Sequence, residues 1–303
     1  MWDSLELLLA DTLFQLSENP NSDVINNFIN QLGPIYDSAK SEGRLAEFKQ
    51  ACQKHPIAKI MLEDPYVHRA FVKPRGYAGD AVMLDYIYRT GPIEASPMGA
   101  IIHEATTRHS NAQSILWRRD YLARQIAATI EGRRDSRILS VASGHMRELE
   151  FSAMATSHRD FEFWALDQDK DSIEKCVQLY PELNIKAISK SIAFLFRRGG
   201  GITGTLFDLI YSAGLSDYLS DKTLEVLIRI LHEHISPNGL LIVGNFTYDS
   251  RGRGFMEGFM DWSLIYRDEA DLIRIVENAA PMASYKTFCD EPGNVAYIEI
   301  KRA

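Results

Sequence analysis

The chain has 303 residues, of which 46% are hydrophobic and 24% charged, and its 33 Lys and Arg against 41 Asp and Glu leave a net charge of −8. That length allows one full α/β domain plus a sizeable extra element. The acidic balance argues against nucleic acid as a partner, because phosphate binding needs clustered Lys and Arg.

The first 134 residues read as helical. Leu5, Leu8, Leu9 and Leu13 share one helical face, and Val24, Phe28 and Leu32 another. Between them and the next long helix lies Lys73-Pro74-Arg75-Gly76-Tyr77-Ala78-Gly79-Asp80, where two glycines and a proline predict a fixed loop. Ser110 to Ile130 reads as one long helix, with Ile115, Leu122, Ile126 and Ile130 in register. The rhythm changes near residue 135. Strands are predicted at Arg137–Ala142, Phe161–Leu166, Ile185–Ile188, Phe207–Ser212, Gly239–Asn245, Tyr285–Cys289 and Val295–Ile300. Helices Asp171–Leu179 and Lys222–His232 fall between the early ones, and Glu291-Pro292-Gly293-Asn294 closes a final hairpin. Alternating strands and helices imply a mostly parallel sheet covered on both faces. The expected fold is therefore α/β, a seven-stranded Rossmann-like sheet (135–303) behind an N-terminal helical region (1–134) that could act as a lid and substrate domain.

Ligands of such a sheet bind beyond the carboxyl ends of its strands. The first strand runs into Ala142-Ser143-Gly144-His145-Met146-Arg147-Glu148, a small-residue turn that lets backbone N–H groups approach a ligand closely. Ser143, Gly144, His145 and Glu148 are thus candidate cofactor contacts. The second strand ends Leu166-Asp167-Gln168-Asp169. Asp167, about 20 positions beyond the glycine, is placed to accept hydrogen bonds from two ribose hydroxyls. Gln168 lies beside it, and Asp169 is the better helix cap. Ser191, after the third strand, and Ser212 and Ala213, after the fourth, complete that edge.

Polar and aromatic groups gather in two other places. Arg75, Tyr77 and Asp80 in the early loop could bind a carboxylate. Asn245 leaves the fifth strand on the ligand side, and Trp262, Tyr266 and Arg267 could wall a pocket, although helical spacing also explains Phe255, Phe259 and Trp262 as core. His109 is a further candidate pocket residue. His232 and His234 point to different helix faces, and no metal site is expected. Gly199-Gly200-Gly201 reads as a flexible loop, since no Lys-Ser/Thr pair follows it.

Ile138-Leu139-Ser140-Val141-Ala142-Ser143-Gly144 resembles the glycine-rich motif of class I S-adenosylmethionine-dependent methyltransferases. Asp167 matches their ribose acid, Phe207–Ser212 their fourth-strand motif, and Pro237-Asn238-Gly239 with Leu240–Val243 the approach to their fifth strand. The likeness covers roughly the last 170 residues and implies S-adenosyl-L-methionine as cofactor. Ser140 stands where these enzymes often have an acid, and Ala142 and Met146 replace the first and last glycines. A nicotinamide dehydrogenase fits less well, because the turn lacks GxGxxG spacing.

Over nearly the whole chain, Pro74–Asp80, Gly144–Glu148 and Met260–Arg267 are similar to a bacterial group that makes 3-hydroxypalmitic acid methyl ester, an extracellular signal. The azetidine-2-carboxylate synthases look related as well. The first likeness implies methyl transfer to a small-molecule carboxyl or hydroxyl, with Arg75 or Arg267 orienting a carboxylate. The second implies cyclisation of S-adenosylmethionine, with Tyr77 or Ser212 at its amine. Catalytic roles accordingly fall to Arg75, Tyr77, Ser212 and Asn245, and substrate contacts to Asp80, His109, Trp262, Tyr266 and Arg267. A scaffold that binds the cofactor without turnover is a third reading.

Cys52, Cys176 and Cys289 form no CxxC pair, which fits a reducing compartment without a disulfide framework or thiolate zinc site. No apolar run reaches the roughly 18 residues of a membrane span, and Met1–Glu6 lacks the basic start of a signal peptide. The expectation is a cytoplasmic protein with a small-molecule substrate, no membrane partner, and helices that could also pair two copies into a homodimer.

Overall fold

In the computed structural model, which describes residues 2–151, 161–197 and 202–302, the change of rhythm near residue 135 coincides with the first strand, Ser136–Val141. Gly199, Gly200 and Gly201 lie outside the described residues. Contacts along the chain group it into two units. One comprises Met1–Leu116 with Asp249–Ser263, the other Trp117–Tyr248 with Leu264–Ala303. A cut at residue 134 therefore differs from the observed grouping in two respects: the boundary falls inside a long helix, and a late segment belongs with the N-terminal helices.

The helical unit runs α1 (Trp2–Glu18), α2 (Ser22–Ser41), α3 (Leu45–Lys54), α4 (Ile57–Met61), α5 (Pro65–Val72), α6 (Ala81–Tyr88), α7 (Pro97–Arg108) and the start of α8 (Ser110–Gly132). The starts are chemically marked. Asn21, Asp64, Asp80 and Ser96 each cap a helix by accepting backbone N–H bonds. Pro65 and Pro97 occupy first-turn positions, where a missing N–H costs nothing. Leu5, Leu9, Leu16, Phe28, Leu32 and Tyr36 are buried. The returning segment adds a further helix, Arg253–Phe259, seated closely on α2. A Cβ at Gly254 would lie 2.7 Å from the Leu32 carbonyl oxygen, so only glycine fits there. Phe255 and Phe259 pack edge-on to Phe28, at 6.3 and 5.4 Å between ring centroids. Tyr36 donates to the buried Glu257 carboxylate at 2.6 Å.

The sheet unit contains seven strands among the described residues: β1 (Ser136–Val141), β2 (Phe161–Asp167), β3 (Ile185–Ser189), β4 (Phe207–Ser212), β5 (Ile235–Phe246), β6 (Ser284–Cys289) and β7 (Val295–Lys301). Their spatial order is β3-β2-β1-β4-β5-β7-β6, with β7 antiparallel to both neighbours and the others parallel. Strand β5 begins four residues before the predicted Gly239. Ile235 already pairs with Phe207, then a bulge with Asn238 in left-handed backbone interrupts the ladder. That bulge takes in Pro237 and Asn238, which is why the expected strand begins only at Gly239. Helices α9 (Lys170–Leu179), α10 (Asp221–Glu233) and α12 (Glu269–Ala279) flank the sheet, α12 being numbered after the Arg253–Phe259 helix, α11. Leu224, Leu227, Ile228 and Leu231 of α10 and Leu272, Ile275 and Val276 of α12 share one core with Leu139, Ile210, Leu241 and Ile298 of the strands. No helix among the described residues is long and apolar enough to cross a membrane.

Candidate functional site

The chain leaves β1 for β2 and β3 on one side and takes up β4 and β5 on the other, so the direction of winding reverses between β1 and β4. A crevice opens at such a point beyond the strand ends. The turn after β1 is unusual. Ala142, Gly144 and Met146 all adopt left-handed backbone, with φ of 58°, 56° and 52°, and the intervening Ser143 and His145 do not. Alternation of this kind turns successive N–H groups toward one concave side. Ala142 and Met146 thus keep a glycine-like backbone without glycine, at a cost of roughly 1 kcal/mol each.

Neighbouring groups hold that strain in place. Ser143 donates its N–H to the Leu166 carbonyl of β2, at 3.2 Å. The Met146 side chain is buried, and its carbonyl accepts from Tyr180 at 2.9 Å. The Cys176 thiol meets the Met146 sulfur at 3.2 Å, and burial pushes that thiol up to about 12. Asp167 closes the turn: Oδ2 accepts the Gly144 N–H at 2.8 Å and Oδ1 that of Asp169 at 2.9 Å. Asp169 caps α9. The turn runs on into a 3₁₀ turn, Arg147–Glu150; 152–160 lie outside the described residues.

Two side chains at the switch point are satisfied by nothing. Ser143, after β1, and Ser212, at the end of β4, are 8% and 1% exposed, and neither hydroxyl has a hydrogen-bond partner. Thr247, one residue past β5, carries a third such hydroxyl. A buried polar group without a partner costs on the order of 1–3 kcal/mol, so these positions suit a polar ligand. His145 is buried in the same turn, whereas Gln168 and Ser191 are exposed at the ends of β2 and β3. Glu148 accepts the Tyr211 hydroxyl at 2.6 Å, and burial raises its carboxyl above the usual range.

Other expected site residues serve the scaffold. Arg267, a candidate carboxylate clamp, is 2% exposed and fully engaged. Its Nε and Nη2 donate to Asp221, Nη1 to the Ser216 carbonyl and Asn245 Oδ1, and Nη2 also to the Leu219 carbonyl. All five guanidinium donors are used, so none can orient a substrate. Asn245, expected to be catalytic, is likewise committed: Nδ2 donates to the Phe246 and Ile265 carbonyls while Oδ1 serves Arg267. Tyr266 is buried beside them.

In the helical unit, Asp80 caps α6 through Met83 N–H and pairs with Arg69 at 2.8 Å, which accounts for its carboxylate. His109 lies buried at the joint of α7 and α8, facing Asn30 at 3.3 Å. Burial and the nearby Arg251 charge push it down to about 4, so it is neutral. Trp262 is buried where its N–H meets the Met256 carbonyl. Arg75 and Tyr77 are half-buried in the loop between α5 and α6.

Two residues of the switch region escaped motif reading. Arg118 of α8 is 8% exposed and donates from Nη1 to the Ala213 carbonyl at 2.6 Å. Asp217, in a 3₁₀ turn after β4, accepts the Phe246 N–H at 2.7 Å, and burial lifts its carboxyl to about 6. Arg118 had a signal: it stands three residues after Ile115 and four before Leu122, a charge on an apolar helical stripe. Among the described residues no group of His, Cys, Asp and Glu could hold a metal ion.

Neither a protein-family model nor a curated protein matches the chain in sequence. Solved structures match it in shape. A possible exported protein from Bordetella parapertussis superposes with a TM-score of 0.61 at 15% identity, covering 95% of this chain and 99% of that one. The plantazolicin methyltransferase BpumL, solved in complex with SAH, gives 0.50 at 10% identity over 82% and 98%. The magnesium protoporphyrin IX methyltransferase ChlM from Synechocystis PCC 6803, with bound SAM, gives 0.48 at 14% over 72% and 89%. With the strand order β3-β2-β1-β4-β5-β7-β6 and the N-terminal helices, the chain has the Rossmann-like fold of the class I methyltransferases.

Proposed function

We propose that the protein is an S-adenosylmethionine-dependent enzyme that methylates a carboxyl or hydroxyl oxygen of a small molecule. One observation carries the reading: Ser143 and Ser212, buried and without partners, flank the switch point of a methyltransferase-type sheet. Asp167 adds to it. Its carboxylate oxygens accept the Gly144 and Asp169 N–H groups and stand at the end of β2, where a ribose acid is expected. Solved neighbours of the same fold hold SAM or SAH.

When bound, S-adenosylmethionine supplies a sulfonium methyl open to in-line attack. The chain's own contribution is binding and orientation. Asp167 fixes the turn and receives the ribose, Ser143 and Ser212 hydrogen-bond the polar tail, and Gln168 and Ser191 border the base. An acceptor carboxylate needs no general base, so positioning and exclusion of water carry the rate. Arg75 and Tyr77 are the acceptor-binding candidates left after Arg267 and Asn245 are assigned to the scaffold. Cys52 and Cys176 are buried thiols outside any disulfide, which suits a cytoplasmic enzyme.

The second reading, cyclisation of S-adenosylmethionine to azetidine-2-carboxylate with release of methylthioadenosine, draws support from Arg267. Its full engagement removes one of two arginines available to an acceptor. Incubation with S-adenosylmethionine alone, followed by mass spectrometry, separates the two. Methyl transfer predicts no methylthioadenosine, then S-adenosylhomocysteine once a hydroxy fatty acid is supplied. Methylthioadenosine with an imino acid from the first incubation contradicts it.

A further inference from the structure

Of the three left-handed residues in the turn after β1, Gly144 needs no support, Ala142 is exposed and Met146 is buried. Two contacts reach Met146 from α9. The Cys176 thiol, in the last turn of that helix, lies 3.2 Å from the Met146 sulfur. Tyr180, just past the helix, donates its hydroxyl to the Met146 carbonyl at 2.9 Å. Cys176 and Tyr180 are four apart, so they share one side of the helix. Both are buried. The Leu149 N–H reaches the same carbonyl at 3.0 Å, so that oxygen stays satisfied without Tyr180. The other end of α9 is tied to β2. Asp169 caps the helix, and Asp167 Oδ1 accepts the Asp169 N–H. Asp167 Oδ2 takes the Gly144 N–H. Asp167, α9 and the turn thus form a closed ring of contacts.

Glycine adopts a left-handed backbone unaided, whereas methionine keeps it only where its surroundings over-determine it. Resting on the cofactor reading above, we propose that Cys176 and Tyr180 are positioning residues for the cofactor: from α9 they clamp Met146 and so keep the turn in its ligand-binding shape. A helix-borne clamp takes the place of the missing glycine. The turn is then ordered by packing before the ligand arrives, and the ligand is spared that cost. Because the clamp and Asp167 sit at opposite ends of α9, the two parts of the cofactor site stand or loosen together. A ligand that binds only the clamped turn suppresses its opening by mass action.

Calorimetry of S-adenosylmethionine binding, below the melting temperature, reads the clamp in wild type, Tyr180→Phe and Cys176→Ala. Each substitution should weaken binding by about threefold to tenfold, the strain of one left-handed residue. Alkylation of Cys176 by iodoacetamide, followed by peptide mass spectrometry, adds a readout that a merely structural contact would not move. Burial pushes this thiol up to about 12, so it reacts only when the clamp opens. Saturating S-adenosylmethionine should slow Cys176 by about tenfold or more, slow the buried Cys52 of the helical unit less, and leave the exposed Cys289 unchanged. Tyr180→Phe should speed the reaction of Cys176 in the free protein. Affinities within about twofold of wild type in both variants, or equal slowing of Cys176 and Cys52, overturn the clamp while the cofactor reading stands. Wild type that binds no S-adenosylmethionine overturns both. If Cys176→Ala does not fold, Tyr180→Phe carries the affinity and alkylation readouts alone, and unchanged values of both contradict the proposal.

Discussion

Gly144 donates its N–H to Asp167 Oδ2 across 2.8 Å, tying the end of β2 to the turn that follows β1. Under the proposed function Asp167 has two tasks, holding the turn and receiving the ribose. Asp167→Ala should weaken S-adenosylmethionine binding by roughly 1–3 kcal/mol and lower the melting temperature as well. Asp167→Asn keeps one acceptor oxygen and should lose less of both. Calorimetry and a thermal melt check the pair, and unchanged ligand affinity in Asp167→Ala would remove the residue from the cofactor site.

Ala142 has a φ of 58° and is exposed, so its left-handed backbone is not offset by buried contacts of its side chain. Ala142→Gly relieves that strain and should stabilise the protein by up to about 1 kcal/mol. In a unit of this size the shift corresponds to a rise of about 2–4 °C in melting temperature. A fall would show that the conformation carries no strain.

The Arg267–Asn245 pair makes the opposite kind of prediction. Arg267→Met takes the guanidinium donor from buried Asn245 Oδ1 and from the Leu219 carbonyl, and one of two donors from the Ser216 carbonyl, which keeps the Leu219 N–H. The loss should be about 2–4 kcal/mol in urea denaturation. A variant of native stability that only raises an acceptor's KM would return Arg267 to the substrate site.

Asp217 links stability to pH. Burial pushes its carboxyl up to about 6 from the ordinary 3.8. An acid raised in the folded state favours folding at pH below 3.8, and that contribution disappears as pH climbs through about 6. From pH 4 to pH 7, wild type should therefore lose of order 2–3 kcal/mol relative to Asp217→Asn, whose amide oxygen still accepts the Phe246 N–H. Parallel urea midpoints for the two proteins across that range would contradict the raised value.

The sheet was largely legible in the sequence, because parallel strands buried on both faces read as short apolar runs. Phe207–Ser212 was bounded to the residue, and β1, β2, β3, β6 and β7 to within one. The start of β5 was not, since a bulge places Pro237 and a left-handed Asn238 inside the strand. The turn after β1 and the position of Asp167 followed from spacing. The fates of Arg267 and Asn245 did not. A guanidinium and an amide near strand ends look alike in sequence whether they face a ligand or the carbonyls of Ser216 and Leu219. Arg118 was hidden for the converse reason. It acts on β4 from a helix some 95 residues earlier in the chain, a separation no local motif can express.

Titration of the wild-type protein with S-adenosylmethionine in a calorimeter tests the central claim most directly. Saturable binding of one molecule per chain, tighter than that of methylthioadenosine and weakened in Asp167→Ala, is the predicted result. No saturable heat, with the protein folded by its thermal melt, would contradict the assignment of the β1–β4 crevice to this cofactor.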